Sequence, residues 1–244
     1  LKEKQRLDKV LSNFGFGSRT EIKSAVKKGL ITVDGAIVKD SSIHVNPEEN
    51  LIVMNGIKLE YRKYIYLMMN KPQGVISATT DTRQKTVFDI MPEEYKCFDL
   101  FPAGRLDIDT EGLVLMTNDG QLAHEILSPK KHVTKKYFAH VLGRVDQSDV
   151  DAFKHGVTLD DGYKTLPAQL EILKSDDISE IKLSITEGKF HQVKRMFEAV
   201  NKEVIYLKRL SMGMLELDES LGLGECKELS QADVELLRAS VQKH

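Results

Sequence analysis

Only two cysteines, Cys97 and Cys226, occur in the 244 residues, too few and too far apart for a disulfide framework. That usage fits a reducing compartment, so the protein is expected to be cytoplasmic. No apolar run approaches the roughly 20 residues that cross a bilayer, so no membrane partner is expected. The N-terminal LKEKQRLDKV is charged and lacks an apolar core, so it is not expected to be a secretory signal. The absent initiator methionine reads as a trimmed or processed start. No nucleotide-binding glycine loop of the G-x-x-x-x-G-K-[ST] or G-x-G-x-x-G kind is present. A G-x-S-x-G nucleophile elbow is missing too. The seven histidines show no paired ligand spacing, and the two cysteines complete no zinc site with them. Strand–helix alternation is irregular and no segment repeats at a fixed period, which argues against doubly wound and solenoid folds.

What remains is a globular composition, 41% apolar and 30% charged, with a net charge of −2. The average hides an asymmetry. Residues 1–63 hold 12 Lys/Arg against 8 Asp/Glu, a net of +4, and residues 64–244 hold 23 against 29, a net of −6. A small basic module on a mildly acidic body is the pattern of a binding attachment on a catalytic or scaffold domain.

In the basic part, Leu7, Val10 and Leu11 recur at helical spacing over Arg6–Phe14, and Gly15 and Gly17 stop that helix. Ser18-Arg19-Thr20-Glu21 is a capping box opening a second helix to about Lys28. Asp34-Gly35 between Ile31-Thr32-Val33 and Ala36-Ile37-Val38 predicts a two-residue hairpin. The order helix, helix, hairpin resembles the S4 RNA-binding domain. That resemblance implies that Arg6, Lys9, Arg19, Lys23, Lys27 and Lys28 face structured RNA, chiefly its phosphates. The module is expected over residues 1–58, with a linker over about 55–63 and a second domain over 64–244.

The second domain reads as many strands with few scattered helices: an α+β fold on a mixed or antiparallel sheet. Strands are expected at Tyr64–Met69, Val75–Ser77, Gly112–Met116, Lys135–Leu142, Gln169–Leu173, Glu180–Thr186, Val204–Leu210, Gly213–Leu217 and Glu225–Leu229. Asp119 and Ser230 are expected to cap helices, as is Ser148 before Val150–His155, and a further helix should run from His191 to about Val200. In FPAGRLDIDTEGLVLMTNDG, Phe101–Gly120, Asp107 is the leading catalytic candidate because it precedes a buried strand. Read as one strand, Arg105, Asp107 and Asp109 share a face. The two carboxylates could hold Mg²⁺, but Arg105 competes for their charge.

Four motifs together identify a family: NKPQGVIS at Asn70–Ser77, AGRLDIDTEGLVLMTNDG at Ala103–Gly120, Lys135-Lys136-Tyr137, and EGKFHQVKRMF at Glu187–Phe197. They resemble the bacterial pseudouridine synthases of the RsuA type, and with the S4 module the resemblance covers nearly the whole chain. Such enzymes break the uridine C1′–N1 bond, turn the uracil and rejoin it through C5. The product is an isomer, so neither cofactor nor metal is implied. The resemblance makes Asp107 the essential carboxylate, either nucleophile or electrostatic stabiliser, and Tyr137 the active-site tyrosine, expected to stack on the uracil and able to serve as a base in the rearrangement. A cation must keep Asp107 ionised; Lys194, Arg195 and Arg105 are the contenders. Asn70, Lys71, Leu106, Gly112, Lys135, His191 and Gln192 are expected to shape the cleft. The implied substrate is 16S ribosomal RNA, free or in an assembling small subunit, acted on by a monomer. Alternatives are 23S ribosomal RNA, a non-catalytic RNA-binding or ribosome-assembly protein, and, more distantly, a metal-dependent nuclease.

Overall fold

The computed structural model describes residues 4–242; the outer ends of the two expected modules, 1–3 and 243–244, lie outside the described residues. The chain divides into two compact units. One comprises residues up to Ile65 together with Pro92–Leu100, the other Tyr66–Met91 together with Phe101 onward. A single division near residue 64 does not anticipate the excursion at Pro92–Leu100. Aromatic packing accounts for it: Phe98 meets Phe14 edge to face, with ring centroids 5.2 Å apart.

The smaller unit contains β1 (Gln5–Arg6), α1 (Leu7–Asn13), α2 (Arg19–Lys27), β2 (Ile31–Val33), β3 (Ala36–Ile37), β4 (His44–Val45), β5 (Ile52–Met54) and β6 (Ile57–Lys58). Ser18 and Glu21 form the expected capping box, in which Ser18 Oγ accepts the Glu21 N–H and the Glu21 carboxylate accepts the Ser18 N–H. The sheet runs β3-β2-β5-β6, antiparallel throughout, and β1 pairs with β4. Leu7, Leu11, Ile22, Ile31 and Ile52 form its core. The predicted linker is largely part of this unit: Asn55 and Gly56 turn a hairpin, β6 pairs with β5, and Leu59 is buried. Polar ends around a glycine describe a hairpin tip as well as a linker, and the buried Leu59 decides between them.

The larger unit contains β7 (Tyr66–Lys71), α3 (Val87–Ile90), β8 (Phe101–Ala103), β9 (Glu111–Thr117), α4 (Gly120–Leu127), β10 (Lys135–Leu142), α5 (Gln147–His155), β11 (Gln169–Lys174), β12 (Ile178–Ile185), α6 (Gln192–Glu198), β13 (Glu203–Met212), β14 (Leu215–Glu216), β15 (Cys226–Glu228) and α7 (Gln231–Gln242). Its sheet runs β11-β12-β10-β13-β9-β7-β15, with β14 added to β13 and β8 to β9. All pairings are antiparallel except β13 with β9, where Lys208 faces Glu111 and Arg209 faces Gly112. The expected α+β class with a mixed sheet holds. Helices α4 and α7 bury Leu122, Ile126, Val234 and Leu237 against Leu113 and Leu115. Tyr66 donates to Asp119, which caps α4, and Arg238 of α7 donates to both, so the two helices share one polar tie.

Three local expectations are corrected. Val75–Ser77 is not a strand; Ile76 makes a single bridge to Thr86, and Ser77 is used elsewhere. Asp146, not Ser148, caps α5, because the aspartate side chain accepts the Ser148 N–H. Residues 104–110 are a loop rather than a strand, so Arg105, Asp107 and Asp109 do not share a face.

Candidate active site

The loop that carries Asp107 is built by residues far from it in sequence. Arg209 on β13 is 2% exposed, and its guanidinium donates to the carbonyls of Leu113 and Gly104, both at 2.8 Å. These two bonds clamp both ends of the loop. Gly104 and Gly112 make the clamp possible: both have positive φ, and a Cβ on Gly112 would lie 2.2 Å from the Arg209 carbonyl oxygen. From the other side, Ser77 Oγ accepts the Leu106 N–H at 2.9 Å and donates to the Leu106 carbonyl at 3.0 Å. Gly74 N–H donates to the Ile108 carbonyl, and a turn inside the loop is closed by Thr110 N–H on the Asp107 carbonyl. The first motif thus supports the loop of the second.

A cavity of about 700 Å³ opens beside this loop. That volume suits a nucleoside-sized group. Its lining includes Leu106, Asp107, Lys135, Tyr137, Ile185, Leu207 and Arg209, and the segment Glu187–Lys194. Tyr137 lies opposite Arg209 across the β10–β13 ladder, and Lys135 is two residues away on the same face. The Glu187 carboxylate is buried and accepts from Tyr163 Oη at 2.7 Å, the Leu166 N–H at 2.9 Å and Gln192 Nε2 at 2.6 Å.

The cations divide unevenly around Asp107. Lys194 Nζ lies 3.6 Å from Asp107 but donates at 2.6 and 2.8 Å to Asp109. His191 Nε2 lies 3.6 Å from the other Asp107 oxygen. Burial opposes ionisation of Asp109, yet the Lys194 hydrogen bond and charge hold its carboxyl below the usual range. Arg195 is turned toward Asp160 and Asp161 and lies outside the cavity lining. Arg105 is exposed on the rim and makes no ion pair with either loop aspartate among the described residues. Of the three contenders for Asp107, only Lys194 comes near.

Other expected cleft residues separate in the same way. Lys135, Leu106, His191 and Gln192 line the cavity; Asn70, Lys71 and Gly112 do not. Asn70 Nδ2 donates to the Leu221 carbonyl, and Lys71 Nζ to the Pro72 carbonyl. Burial lowers the ammonium of Lys71 to about 8, against the pull of Asp109, Asp107 and Glu111. Burial also lowers Lys135 to about 8, with the nearby Arg209 charge adding to the effect. Sequence reasoning missed Arg209. Its signal was parity: it falls on the buried phase of β13 with Leu207 and Ser211.

In the smaller unit, Lys9, Arg19, Lys23, Lys27 and Lys28 are exposed. Arg6 is engaged internally, donating to the buried Asp8 at 2.7 and 3.1 Å.

A carboxylate on a clamped loop beside an open cavity, in a chain that also carries a basic helix-helix-hairpin unit, is the arrangement of an enzyme with a separate binding unit. The family comparisons agree: residues 5–51 match the S4 domain and residues 65–199 match RNA pseudouridylate synthase. The chain belongs to the RNA pseudouridylate synthase family, in its RsuA/RluB branch, and is an isomerase of RNA uridine to pseudouridine. It is 52% identical over 233 residues to an uncharacterised RNA pseudouridine synthase, YtzG, of Bacillus subtilis, covering 95% of this chain and 98% of that one. It is 38% identical to ribosomal small subunit pseudouridine synthase A of Haemophilus influenzae, covering 95% and 99% of the two chains. Identity to ribosomal large subunit pseudouridine synthase B of B. subtilis is 37%, covering 96% of each. A crystal structure of a pseudouridylate synthase superposes with a TM-score of 0.67 at 38% identity, covering 95% of this chain and 99% of that one.

Proposed function

We propose that the protein converts a uridine of 16S ribosomal RNA to pseudouridine, with Asp107 as the catalytic carboxylate. The observation that carries this reading is the placement of Asp107 on a loop clamped at both ends, beside a cavity that Tyr137 also lines. In the reaction the C1′–N1 bond breaks and a C1′–C5 bond forms. The proton on C5 leaves and N1 regains one, so nothing is consumed. Asp107 acts ionised, as nucleophile or as stabiliser of charge at C1′, with Lys194 and His191 beside it. The Tyr137 ring stacks on the uracil while it turns. Uridine leaves its stack to reach the cavity, and Lys9, Arg19, Lys23, Lys27 and Lys28 hold phosphates of the surrounding RNA.

Ribosomal RNA of the large subunit is the second reading, because the relative named for that subunit is nearly as similar as the one named for the small. Mapping pseudouridines in both RNAs from cells with and without the protein separates the two. Loss of one site in 16S RNA is expected; loss in 23S RNA instead overturns the small-subunit assignment. Asp107→Asn should reduce tritium release from [5-³H]uridine-labelled ribosomal RNA by at least about a thousandfold without changing the unfolding midpoint. Turnover near wild type would remove Asp107 from the chemistry.

A further inference from the structure

Phe190 is the most exposed large apolar side chain among the described residues, at 70%, and it stands on the rim of the active-site cavity. Its ring lies nearly parallel to the imidazole of His191, with centroids 3.7 Å apart and planes 18° apart. One face is therefore covered and the other is open. His191 approaches Asp107, so the stacked pair extends outward from the carboxylate.

The turn beneath the ring is fixed rather than loose. Lys189 N–H donates to Gln192 Oε1 at 2.8 Å, and Gln192 in turn donates to the buried Glu187. Arg195 Nη1 donates to the Phe190 carbonyl at 3.4 Å. His191 holds a left-handed conformation, φ 48°, which costs free energy in a non-glycine residue and persists only where surrounding bonds impose it. The polar bonds of this turn hold a phenylalanine out in water beside a cavity that accepts a nucleoside. An aromatic ring with one free face at such a place matches how proteins hold unpaired bases, since every base has a face to stack.

We infer that the open face of Phe190 stacks on a nucleobase flanking the target uridine, so that the Phe190–His191 pair fills the place the uridine leaves when it enters the cavity. The inference rests on the family reading of the cavity but not on which ribosomal RNA is the substrate. Stacking by a single ring is tolerant of base identity, so Phe190 supplies affinity and register rather than sequence selection.

The chain contains no tryptophan, so Phe190→Trp introduces a single tryptophan whose emission is read selectively above the tyrosine range. Titrating that variant with protein-free ribosomal RNA from cells lacking the enzyme should quench its emission at least twofold. Leu173→Trp, on β11 and outside the cavity lining, serves as control and should stay unquenched. In the tritium-release assay, Phe190→Ala should lower kcat/KM about tenfold to a hundredfold, and Phe190→Tyr should stay within about twofold of wild type. Absent quenching at 190, equal quenching at both positions, or full activity in Phe190→Ala each overturns the proposal. If quenching occurs but the wild-type protein releases no tritium, stacking stands and the assigned chemistry falls.

Discussion

The two units use positive charge in opposite ways. In the smaller one, Lys9, Arg19, Lys23, Lys27 and Lys28 lie exposed on or beside two short helices. In the larger one, Lys71, Lys135 and Arg209 are buried, with 0, 6 and 2% exposure. Exposed cations cost little to keep, act over about a Debye length and are screened by salt. Buried cations are expensive unless they are hydrogen-bonded, and they act by direction rather than by reach. One set suits gathering a polyanion; the other suits fixing a backbone and a reacting group.

Four tests bear on that contrast. Arg209→Met leaves the Leu113 and Gly104 carbonyls without their donor, and should destabilise the fold by about 3 kcal/mol or more in urea unfolding. Arg209→Lys should recover only part of this, since a point charge cannot reproduce the fork. An unchanged midpoint would mean that the clamp is not structural. Lys194→Met should slow tritium release roughly a hundredfold while moving stability by less than about 1 kcal/mol. Equal loss of stability and rate would return Lys194 to the class of Arg209.

The third test is pH. The folded-state pKa of Lys135 is lowered to about 8 from an ordinary 10.5, so between those values the unfolded chain binds more protons. Stability should therefore rise as pH passes from about 8 to about 10.5, and Lys71 acts in the same direction. Lys135→Met should remove roughly 3 kcal/mol of that rise at most. A flat wild-type profile would show both ammonium groups to be better solvated than their burial implies. Smallest in stability is the combined Lys23→Gln, Lys27→Gln, Lys28→Gln variant. Its unfolding free energy should change by less than about 0.5 kcal/mol per site, while the log–log salt slope of RNA binding flattens by about 2. An unchanged slope would move the RNA surface elsewhere.

Elements whose signals are local could be read directly from the sequence. The apolar run at Gly112–Met116 forms β9, the alternation at Lys135–Leu142 forms β10, and Ser18 and Glu21 form their capping box. Asp119 caps α4 for the same reason: a short acceptor precedes an amphipathic stretch. The loop holding Asp107 was not legible, because its shape depends on Arg209, 105 residues after Gly104. Nor could the partition of cations be read. Lys194 and Arg195 are adjacent in sequence, yet one helical step turns the first toward Asp109 and the second toward Asp160. The sheet order decides which faces the loop, and that order depends on one parallel pairing between strands far apart in the chain.

That pairing also orders events during synthesis. Every residue of the small unit's two helices emerges before Asp107, and Asp107 emerges before the strand that carries Arg209. While β13 is still unmade, the loop has no guanidinium to close on and the parallel seam with β9 does not exist. A nascent chain thus presents the exposed cations of its two short helices well ahead of the bonds that clamp the Asp107 loop, and a transcript truncated before β13 would encode the first without the second.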